Sequence, residues 1–558
     1  MKRIFTNKIW IVAAVMAVTV FLSSIPLILS GTHAGHDLGF HLYRIISVSK
    51  AIAEHSFPVR IYFDRFNGYG YGSPLFYCDF FLYFPALLHN LFGLDFTVSW
   101  NALLFLLNCM TFLASYYSYK TISRSFTIGL TASVLYTLTT YRLLDLYTRA
   151  AIGESCALVF LPLILCGFER ILRNERTGWI TLALGYTGVL MSHTLSFLMA
   201  LLIGAVFCLL HFKKIVEKEH LISILKAALL SIGCTAWYLI PFLRSVFLPL
   251  QAKSDYPDFF RTSLSLSDLF DFSLKGAASG EIYKGLLSSS TGYGITKTPG
   301  LLILMGSIIF FILWIRSLHS GEKSPESKPS YLLFGWLTII LMSDMIPWEL
   351  LQGLPVFSFF RSFQFLWRFN MVVVLLLSYS AAVGFCSLAH RRKFLFSLVP
   401  VGIITFSLFF YQTYLTQTRV FTDDNMPLLT DELYLFTGND LSSREPFESN
   451  GDALSVNDVL KEKGVAFTYS VLPPSDGSPL YIDVPLNYYP GYTAKVNDTA
   501  GKVTYSNTGI VRVFIQDNAS SGTISVSYKE SPLFLMADVI SLISWIVLCT
   551  FLLKKRNS

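Results

Sequence analysis

The sequence predicts a polytopic α-helical membrane protein that carries a small extracytoplasmic β domain near its C-terminus. Of its 558 residues, 53% are hydrophobic and 14% are charged, whereas soluble proteins have about 25% charged residues. Apolar runs of spanning length alternate with clusters of Lys and Arg, and a long polar region precedes the last run. Because basic residues mark the cytoplasmic ends of spans, the net charge of +7 follows from topology, and we expect no nucleic-acid partner.

The apolar runs and basic clusters predict about twelve spans with both termini in the cytoplasm. The approximate spans are 9–30, 98–118, 126–141, 152–168, 178–192, 195–212, 221–247, 300–316, 331–346, 367–389, 394–414 and 533–553. The first run is too long for a typical signal-peptide core, so we interpret it as a retained anchor. A further run, 74–92, contains Asp79, Pro85 and His89 and is followed by no positive charge, which favours a helix in the outer interface.

The expected domains are a transmembrane domain, 1–414, an extracytoplasmic domain, 415–532, and a last helix with a basic tail, 533–558. The segments 480–484, 491–496, 509–515 and 522–528 alternate apolar and polar residues between turn residues, which predicts an antiparallel β domain. This domain could cover a site, position a polymeric acceptor or act as a passive cap. The eight cysteines lie in or beside apolar segments, so we expect no structural disulfide.

The first extracytoplasmic loop, 31–97, holds the main candidate site. Asp37, His41 and Arg44 stand at i, i+4 and i+7, one face of a helix, and His36 is adjacent. An acid, an imidazole and a guanidinium just past a membrane exit indicate a site at the outer membrane surface. The alternative is a polar interfacial helix whose charges simply meet water.

Other polar and aromatic residues are predicted at the same depth, and we include them as candidate substrate-binding residues: Arg60, Tyr69, Arg149, Glu154, His193, Arg361, Gln364 and Arg368. Singly, each has a structural explanation, such as an arginine that reaches lipid headgroups, a capping acid or a satisfied histidine. Together they suit a ligand, because arginines bind phosphate through forked hydrogen bonds and aromatic rings suit a sugar or lipid chain.

Several motifs resemble a known group of membrane proteins. GHDLGFHLYRI, FPVRI, NGYGYGSPLFYCDFFLYFPALL, RAAIGE and FQFLWRF are similar to the bacterial proteins called 6-pyruvoyl-tetrahydropterin synthase-related. LYIDVPLNYYPGYTAKVN resembles the tail of YfhO-type membrane proteins. Both groups belong with the GT-C superfamily of polytopic glycosyltransferases. The resemblance covers essentially the whole chain, and its first motif is the most specific.

The resemblance implies an inverting sugar transfer outside the bacterial cytoplasmic membrane, with Asp37 as general base. The implied donor is a polyprenyl-phosphate sugar, and the acceptor is a cell-envelope glycopolymer such as a teichoic acid or wall polysaccharide. From their location and charge, and not from the resemblance, we expect Arg44, Arg149, Arg361 or Arg368 to meet the charge of the leaving phosphate. His41 would orient Asp37 or bind that phosphate. We expect no cofactor. A divalent cation could bind beside Asp37, but since no DxD-type carboxylate pair is present, the sequence does not predict one.

Two other classes stay open. A transporter or flippase of lipid-linked sugars would also have many spans and intramembrane arginines, although internal repeats and midplane charges are more typical of it. A non-catalytic envelope-assembly protein would keep the same fold without needing Asp37.

Overall fold

The structure is a computed structural model that describes residues 2–28, 31–251, 262–270, 297–320, 328–351, 353–391, 402, 411, 415, 420–426, 428, 432–436 and 447–554. This part of the chain is mainly helical, with β-sheets near the C-terminus. The helices are Lys2–Ser23, Leu38–Ala53, Tyr83–Phe92, Phe96–Ser123, Phe126–Thr137, Thr140–Leu143, Ile152–Leu172, Gly178–Leu190, Thr194–Leu210, Phe212–Ile215, Lys218–Ser245, Leu301–Ser320, Pro329–Met342, Trp348–Leu351, Pro355–Arg361, Asn370–Arg391 and Pro532–Lys554.

Six helices within these described residues are long and apolar enough to cross a membrane. They are Phe96–Ser123, Ile152–Leu172, Lys218–Ser245, Leu301–His319, Leu366–Ala389 and Pro532–Leu553. The prediction of a multi-pass α-helical membrane protein is therefore confirmed. Five shorter apolar helices overlap other predicted spans: Lys8–Ser23, Phe126–Thr137, Gly178–Leu190, Thr194–Leu210 and Pro329–Met342. The predicted span 394–414 lies almost entirely outside the described residues.

The run 74–92 contains no helix of spanning length. It is divided between short 3-10 turns, at Ser73–Leu75 and Phe80–Leu82, and the helix Tyr83–Phe92. The helix has 10 residues, so it is about 15 Å long, roughly half the thickness of the hydrocarbon core. Since a predicted span, 126–141, contains a helix of similar length, Phe126–Thr137, the position of this segment in the outer interface stays a prediction.

One compact unit consists of the described parts of Met1–Ile46, Phe80–Ser231 and Pro257–Leu429. Its most enclosed helices are Ile152–Leu172 and the helix within Leu366–Ala389, because 83% of the apolar stretch of each is buried. For the other four long helices of the described chain, this share is between 22% and 50%. Strands β1 (Thr32–His33) and β2 (Val420–Phe421) form a short antiparallel pair in this unit.

The second compact unit consists of the described parts of Ser47–Asp79, Ile232–Tyr256 and Thr430–Ser558. Its strands are β3 Glu448–Ser449, β4 Asp452–Glu462, β5 Gly464–Leu472, β6 Tyr481–Asn487, β7 Tyr492–Val496, β8 Thr499–Gly501, β9 Val503–Tyr505, β10 Ile510–Phe514 and β11 Ser521–Tyr528. They form two antiparallel sheets, with strand orders β3-β6-β10-β9 and β4-β5-β11-β7-β8. Apolar side chains of both sheets share one core, among them Val484 and Val513 of the first and Phe467 and Ile524 of the second.

The four predicted strands are present as β6, β7, β10 and β11. The hairpin of β4 and β5 was not predicted. Strand β4 has the sequence DALSVNDVLKE and is mostly exposed on both faces, so its alternation is weak. Its pairing with β5, and not its own hydrophobic pattern, places it in the sheet.

Two glycines let the central helix Asn370–Arg391 approach its neighbour Leu301–Ser320 closely. A Cβ atom at Gly384 would overlap the carbonyl oxygen of Gly306, and one at Gly306 would lie 2.6 Å from the Cβ of Ala381. Small residues commonly allow such close packing of membrane helices. The contact therefore leaves no room for a larger side chain.

We expect Gly384→Ile to destabilise the protein, because the added side chain would have to separate the two helix backbones. Overpacking of this kind costs about 1–3 kcal/mol, and occasionally more. Thermal unfolding in detergent would measure the loss. Ala14→Ile adds a similar side chain at an exposed position of helix Lys2–Ser23 and should leave the transition unchanged. Equal transitions for Gly384→Ile and wild type would contradict the packing argument.

Candidate functional site

The turn that carries Asp37 is fixed to the backbone that carries Arg149. Asp37 donates its backbone N–H to the carbonyl oxygen of Arg149 at 2.8 Å, and His36 donates its own to the carbonyl oxygen of Thr148 at 3.0 Å. A Cβ atom at Gly35 would lie 2.7 Å from the Cβ of Ala150. Only glycine permits this close approach, so the sequence GHD brings the acid next to the arginine.

The segment that receives this turn has an irregular backbone. Residues Leu144–Thr148 form a π-helical turn, and Ala150 has a φ of 51°, a left-handed conformation that is uncommon for a non-glycine residue. Single π-turns and left-handed residues are frequent at functional sites, where the surrounding structure holds them in place. This geometry places the carboxyl group of Asp145 beside Arg149, whose Nη1 atom donates a hydrogen bond to Asp145 Oδ1.

Glu154 links the two most enclosed helices of the first unit, Ile152–Leu172 and the helix within Leu366–Ala389. Its Oε2 atom accepts hydrogen bonds from Arg149 Nη1 at 2.9 Å and from Arg368 Nε at 3.0 Å. Its Oε1 atom accepts a hydrogen bond from the hydroxyl of Tyr141. The Glu154 side chain is only 1% exposed. Arginine and tyrosine side chains therefore provide both of its oxygens with the hydrogen bonds that water would otherwise provide. A buried carboxylate needs such compensation to remain ionised.

The two arginines keep donors that are not used by the described residues. Arg149 forms hydrogen bonds with the described residues through Nη1 only, and its guanidinium carbon lies 4.7 Å from the centre of the Trp367 ring. Arg368 uses Nε for Glu154, and Nη1 for Gln364 Oε1 at 2.9 Å and a backbone carbonyl. Within the described chain, no hydrogen bond involves Nη2 of either arginine. Since a guanidinium has five N–H donors, both can still bind an anion.

Two histidines contribute to the same cluster as neutral rings. Arg44 Nη1 lies 3.2 Å from His41 Nδ1, and burial together with Arg44 holds the pKa of His41 well below its usual range. Burial, and after it the charge of Arg368, lowers the pKa of His193 to about 3. His193 Nδ1 is 2.8 Å from the Ser196 hydroxyl. Both imidazoles can therefore form hydrogen bonds without adding positive charge.

The Asp37 carboxylate is the open member of the cluster. Asp37 is partly exposed, and no side-chain hydrogen bond to its carboxylate is formed by the residues that the structure describes. The withdrawal of water from its surroundings raises the pKa of Asp37, against the opposing charges of Arg149 and Arg368. A carboxylate with a raised pKa and no fixed donor is suited to accept a proton.

The described side chains of the cluster, together with Arg142 near Asp145, include more basic than acidic groups. The arginines are Arg44, Arg142, Arg149 and Arg368, and the acids are Asp37, Asp145 and Glu154. Arg142 is buried, and its hydrogen bonds with described residues are all to neutral groups, including Asn108 Oδ1 at 2.7 Å. Burial, and then the negative charge of Glu154, raises the pKa of Asp145 well above its usual range and so favours its uncharged form. The cluster therefore favours an anionic ligand.

The structure brings together most of the candidate residues named from the sequence: Asp37, His36, His41, Arg44, Arg149, Glu154, His193, Gln364 and Arg368. Arg361 is exposed at the end of helix Pro355–Arg361. Arg60 and Tyr69 belong to the second unit.

Arg60 has a structural environment within that second unit. Its Nε atom lies 2.7 Å from Glu530 and its Nη2 atom 2.7 Å from Asp538, and its Nη1 atom donates to the Trp237 carbonyl oxygen at 2.6 Å. The ring of Tyr69 faces the ammonium group of Lys461 at 5.7 Å. The contacts of Arg60 join the segments 47–79, 232–256 and 430–558 within this unit.

Sequence reasoning missed Asp145, Tyr141, Arg142 and Trp367. A usable signal was present: Asp145 and Arg149 are spaced i and i+4, and Arg142 precedes Asp145 by three residues. The contact of Trp367 with Arg149 is a tertiary one and has no local signal. Among the described residues, no group of three or more His, Cys, Asp or Glu side chains is arranged to hold a metal ion.

The fold and the cluster define a multi-pass α-helical membrane protein with a buried, arginine-rich polar site. The chain is similar to a protein of Lactococcus lactis subsp. cremoris (strain MG1363) that is described as uncharacterized, with 24% identity over 338 residues. The matched region covers 59% of this chain and 53% of that protein, so the chain spans about half the length of the relative it matches. No protein-family model matches the chain.

The two enclosed acids should differ in their effect on stability. Glu154→Gln removes the charge that compensates Arg149 and Arg368, and breaking a buried ion pair costs about 3–5 kcal/mol. Asp145→Asn should cost less, because burial and then the charge of Glu154 raise the pKa of Asp145 and favour its neutral form, which an amide resembles. Thermal unfolding of both variants in detergent would measure the difference. An equal or larger loss for Asp145→Asn would show that Asp145 is charged.

Proposed function

We propose that the protein is an integral membrane glycosyltransferase that transfers a sugar from a polyprenyl-phosphate donor to a cell-envelope glycopolymer. One observation carries the proposal: an open carboxylate, Asp37, stands beside the arginines Arg149 and Arg368, which have donors to spare. Acid and arginine together supply the two functions that such a transfer needs, a base for the acceptor and a cationic site for the phosphate.

The donor phosphate would be bound by the unused N–H groups of Arg149 and Arg368. These guanidinium groups are held by Glu154, so little side-chain freedom would be lost when the phosphate binds. The aromatic faces of Trp367 and Phe365 lie against the two guanidinium carbons, at 4.7 Å and 5.4 Å. They restrict the orientation of both arginines and offer apolar surface to a sugar or lipid chain.

In the proposed reaction, Asp37 accepts a proton from an acceptor hydroxyl while the hydroxyl oxygen bonds to the anomeric carbon. The bond between that carbon and the phosphate oxygen breaks, and polyprenyl phosphate leaves from the opposite face with one additional negative charge. Attack and departure on opposite faces invert the configuration. The positive charge of the arginines would stabilise the leaving phosphate, which is often the largest catalytic contribution.

We further propose about twelve spans, both termini in the cytoplasm, and a site on the extracytoplasmic face. The support is the placement of basic clusters between the apolar helices, including Arg170 and Arg173 at the end of helix Ile152–Leu172 and Lys328 before helix Pro329–Met342. In this topology, Asp37 and the N-terminal ends of the two most enclosed helices lie at the outer side of the membrane. Donors presented there would be lipid-linked sugars and not soluble nucleotide sugars.

The central variant is Asp37→Asn, which keeps the shape of the side chain but cannot take up the proton. With a radiolabelled polyprenyl-phosphate sugar and membranes that contain the variant, label transfer to envelope polymer should fall by about a hundredfold or more, in the range typical of a general base. The matched control is Asp424→Asn, which neutralises an exposed acid of the same unit and should transfer label like wild type.

Protein level and membrane insertion would be measured in parallel. Transfer by Asp37→Asn at the rate of wild type would overturn the assignment of the base. If the wild-type protein moved the lipid-linked sugar across the vesicle membrane and transferred no sugar, the protein would be a flippase and not a glycosyltransferase.

The pH dependence of transfer should report the environment of Asp37. Since the base must be ionised, activity should fall as the pH drops through the raised pKa of Asp37. Arg149→Gln removes a charge that lowers this pKa, so the acid limb should move to higher pH, whereas Arg149→Lys keeps the charge and should leave the limb close to that of wild type. Measured profiles of kcat/KM with identical acid limbs for both variants would contradict this role of Asp37.

A further inference from the structure

A wide groove lies within the second unit. Its volume is about 1040 Å³, at the upper end of the range for ligand sites, which is roughly 300–1,000 Å³. One wall comes from the end of helix Leu38–Ala53 and the residues after it, through Asp64. The other wall and the floor come from residues 460–466 and 525–528 of β4, β5 and β11. The groove has room for more than one sugar ring.

The floor of the groove includes four small residues, two of which are serines. On β5 and β11, Ala466 is paired with Ser525 and Gly464 with Ser527, and Ser525 and Ser527 alternate with the core residues Ile524 and Val526 along the strand. The paired residues therefore share the sheet face that is turned away from the core. Their short side chains would let an extended chain lie close to the sheet while the serines form hydrogen bonds with it.

Aromatic rings and balanced charges complete the groove. Phe63 and Tyr528 lie against each other, with ring centres 6.5 Å apart; both pack in part against the core and also line the groove. Three lysines and three acids line it as well, and two of the resulting pairs are Lys50 with Asp64 at 3.4 Å and Lys463 with Glu54 at 3.6 Å. A polyanion would have to compete with these acids for the lysines. An uncharged polyhydroxylated chain needs no such exchange.

We infer that this groove binds the acceptor as a neutral polysaccharide, in preference to a polyanionic teichoic acid. The inference rests on the proposed function, because only a glycosyl transfer gives the bound polysaccharide the role of an acceptor. The binding itself does not depend on the donor or on Asp37. The small-residue floor receives the sugar chain, the serines and rim charges form hydrogen bonds with its hydroxyl groups, and the aromatic rings pack against its apolar faces.

The test is polysaccharide binding by the full-length protein in nanodiscs. The probes are three fluorescently labelled neutral polysaccharides (dextran, mannan and galactan) and labelled polyglycerol phosphate. At least one neutral probe should bind about tenfold more tightly than polyglycerol phosphate, and Ser525→Trp, which fills the floor, should weaken that binding by about tenfold, or 1.4 kcal/mol. Ala466→Trp, in the paired strand, provides a second blocking variant should Ser525→Trp fold poorly.

Ser521→Trp is the matched control. This exposed residue lies on the same strand and the same face but outside the groove, so its variant should bind like wild type. Asp37→Asn should also retain full binding, which separates a failure of the groove from a failure of the proposed chemistry. Equal or tighter binding of polyglycerol phosphate, no binding of any neutral probe, or unchanged binding by both blocking variants would overturn the inference.

Discussion

The hydrogen bonds of Glu154 to Arg149 and Arg368 are the contacts on which the candidate site depends. They join the ends of the two most enclosed helices of the first unit, where burial of the two arginines is compensated by the carboxylate. Because Glu154 uses only part of each guanidinium group, the arginines are held in position and still have donors for a ligand. A buried ion pair thus serves here to position cationic groups, a role distinct from any contribution to stability.

The three carboxyl groups of the site differ in environment, and their expected roles follow from that difference. Glu154 is enclosed and bound by two arginines and a tyrosine. Asp145 is also enclosed. Its burial, and then the charge of Glu154, raise its pKa and favour its neutral form. Asp37 alone is partly open and lacks a hydrogen bond from any described side chain. When the environments of neighbouring acids shift their pKa values apart in this way, the acid that remains accessible is the candidate for proton transfer.

Much of this arrangement could be predicted from the sequence. Apolar runs and basic clusters indicated a multi-pass protein, and a GHD turn after the first run indicated Asp37 as a site residue. Contacts between distant segments could not be read in the same way. Arg60 and Arg149 are both arginines near predicted membrane edges, yet Arg60 is held by Glu530 and Asp538, more than 450 positions along the chain. Strand β4 escaped prediction because its polar residues carry no period-two pattern, and only pairing with β5 defines it.

The central claim is that the arginines beside Asp37 bind a lipid phosphate. A cryo-EM map of the full-length protein in nanodiscs, prepared with excess undecaprenyl phosphate, tests it most directly. The account predicts density for the phosphate within hydrogen-bonding distance, about 3 Å, of Arg149 and Arg368, with the lipid chain leading into the membrane. Well-resolved side chains in this cluster without phosphate density, or a phosphate bound elsewhere on the protein, would contradict it.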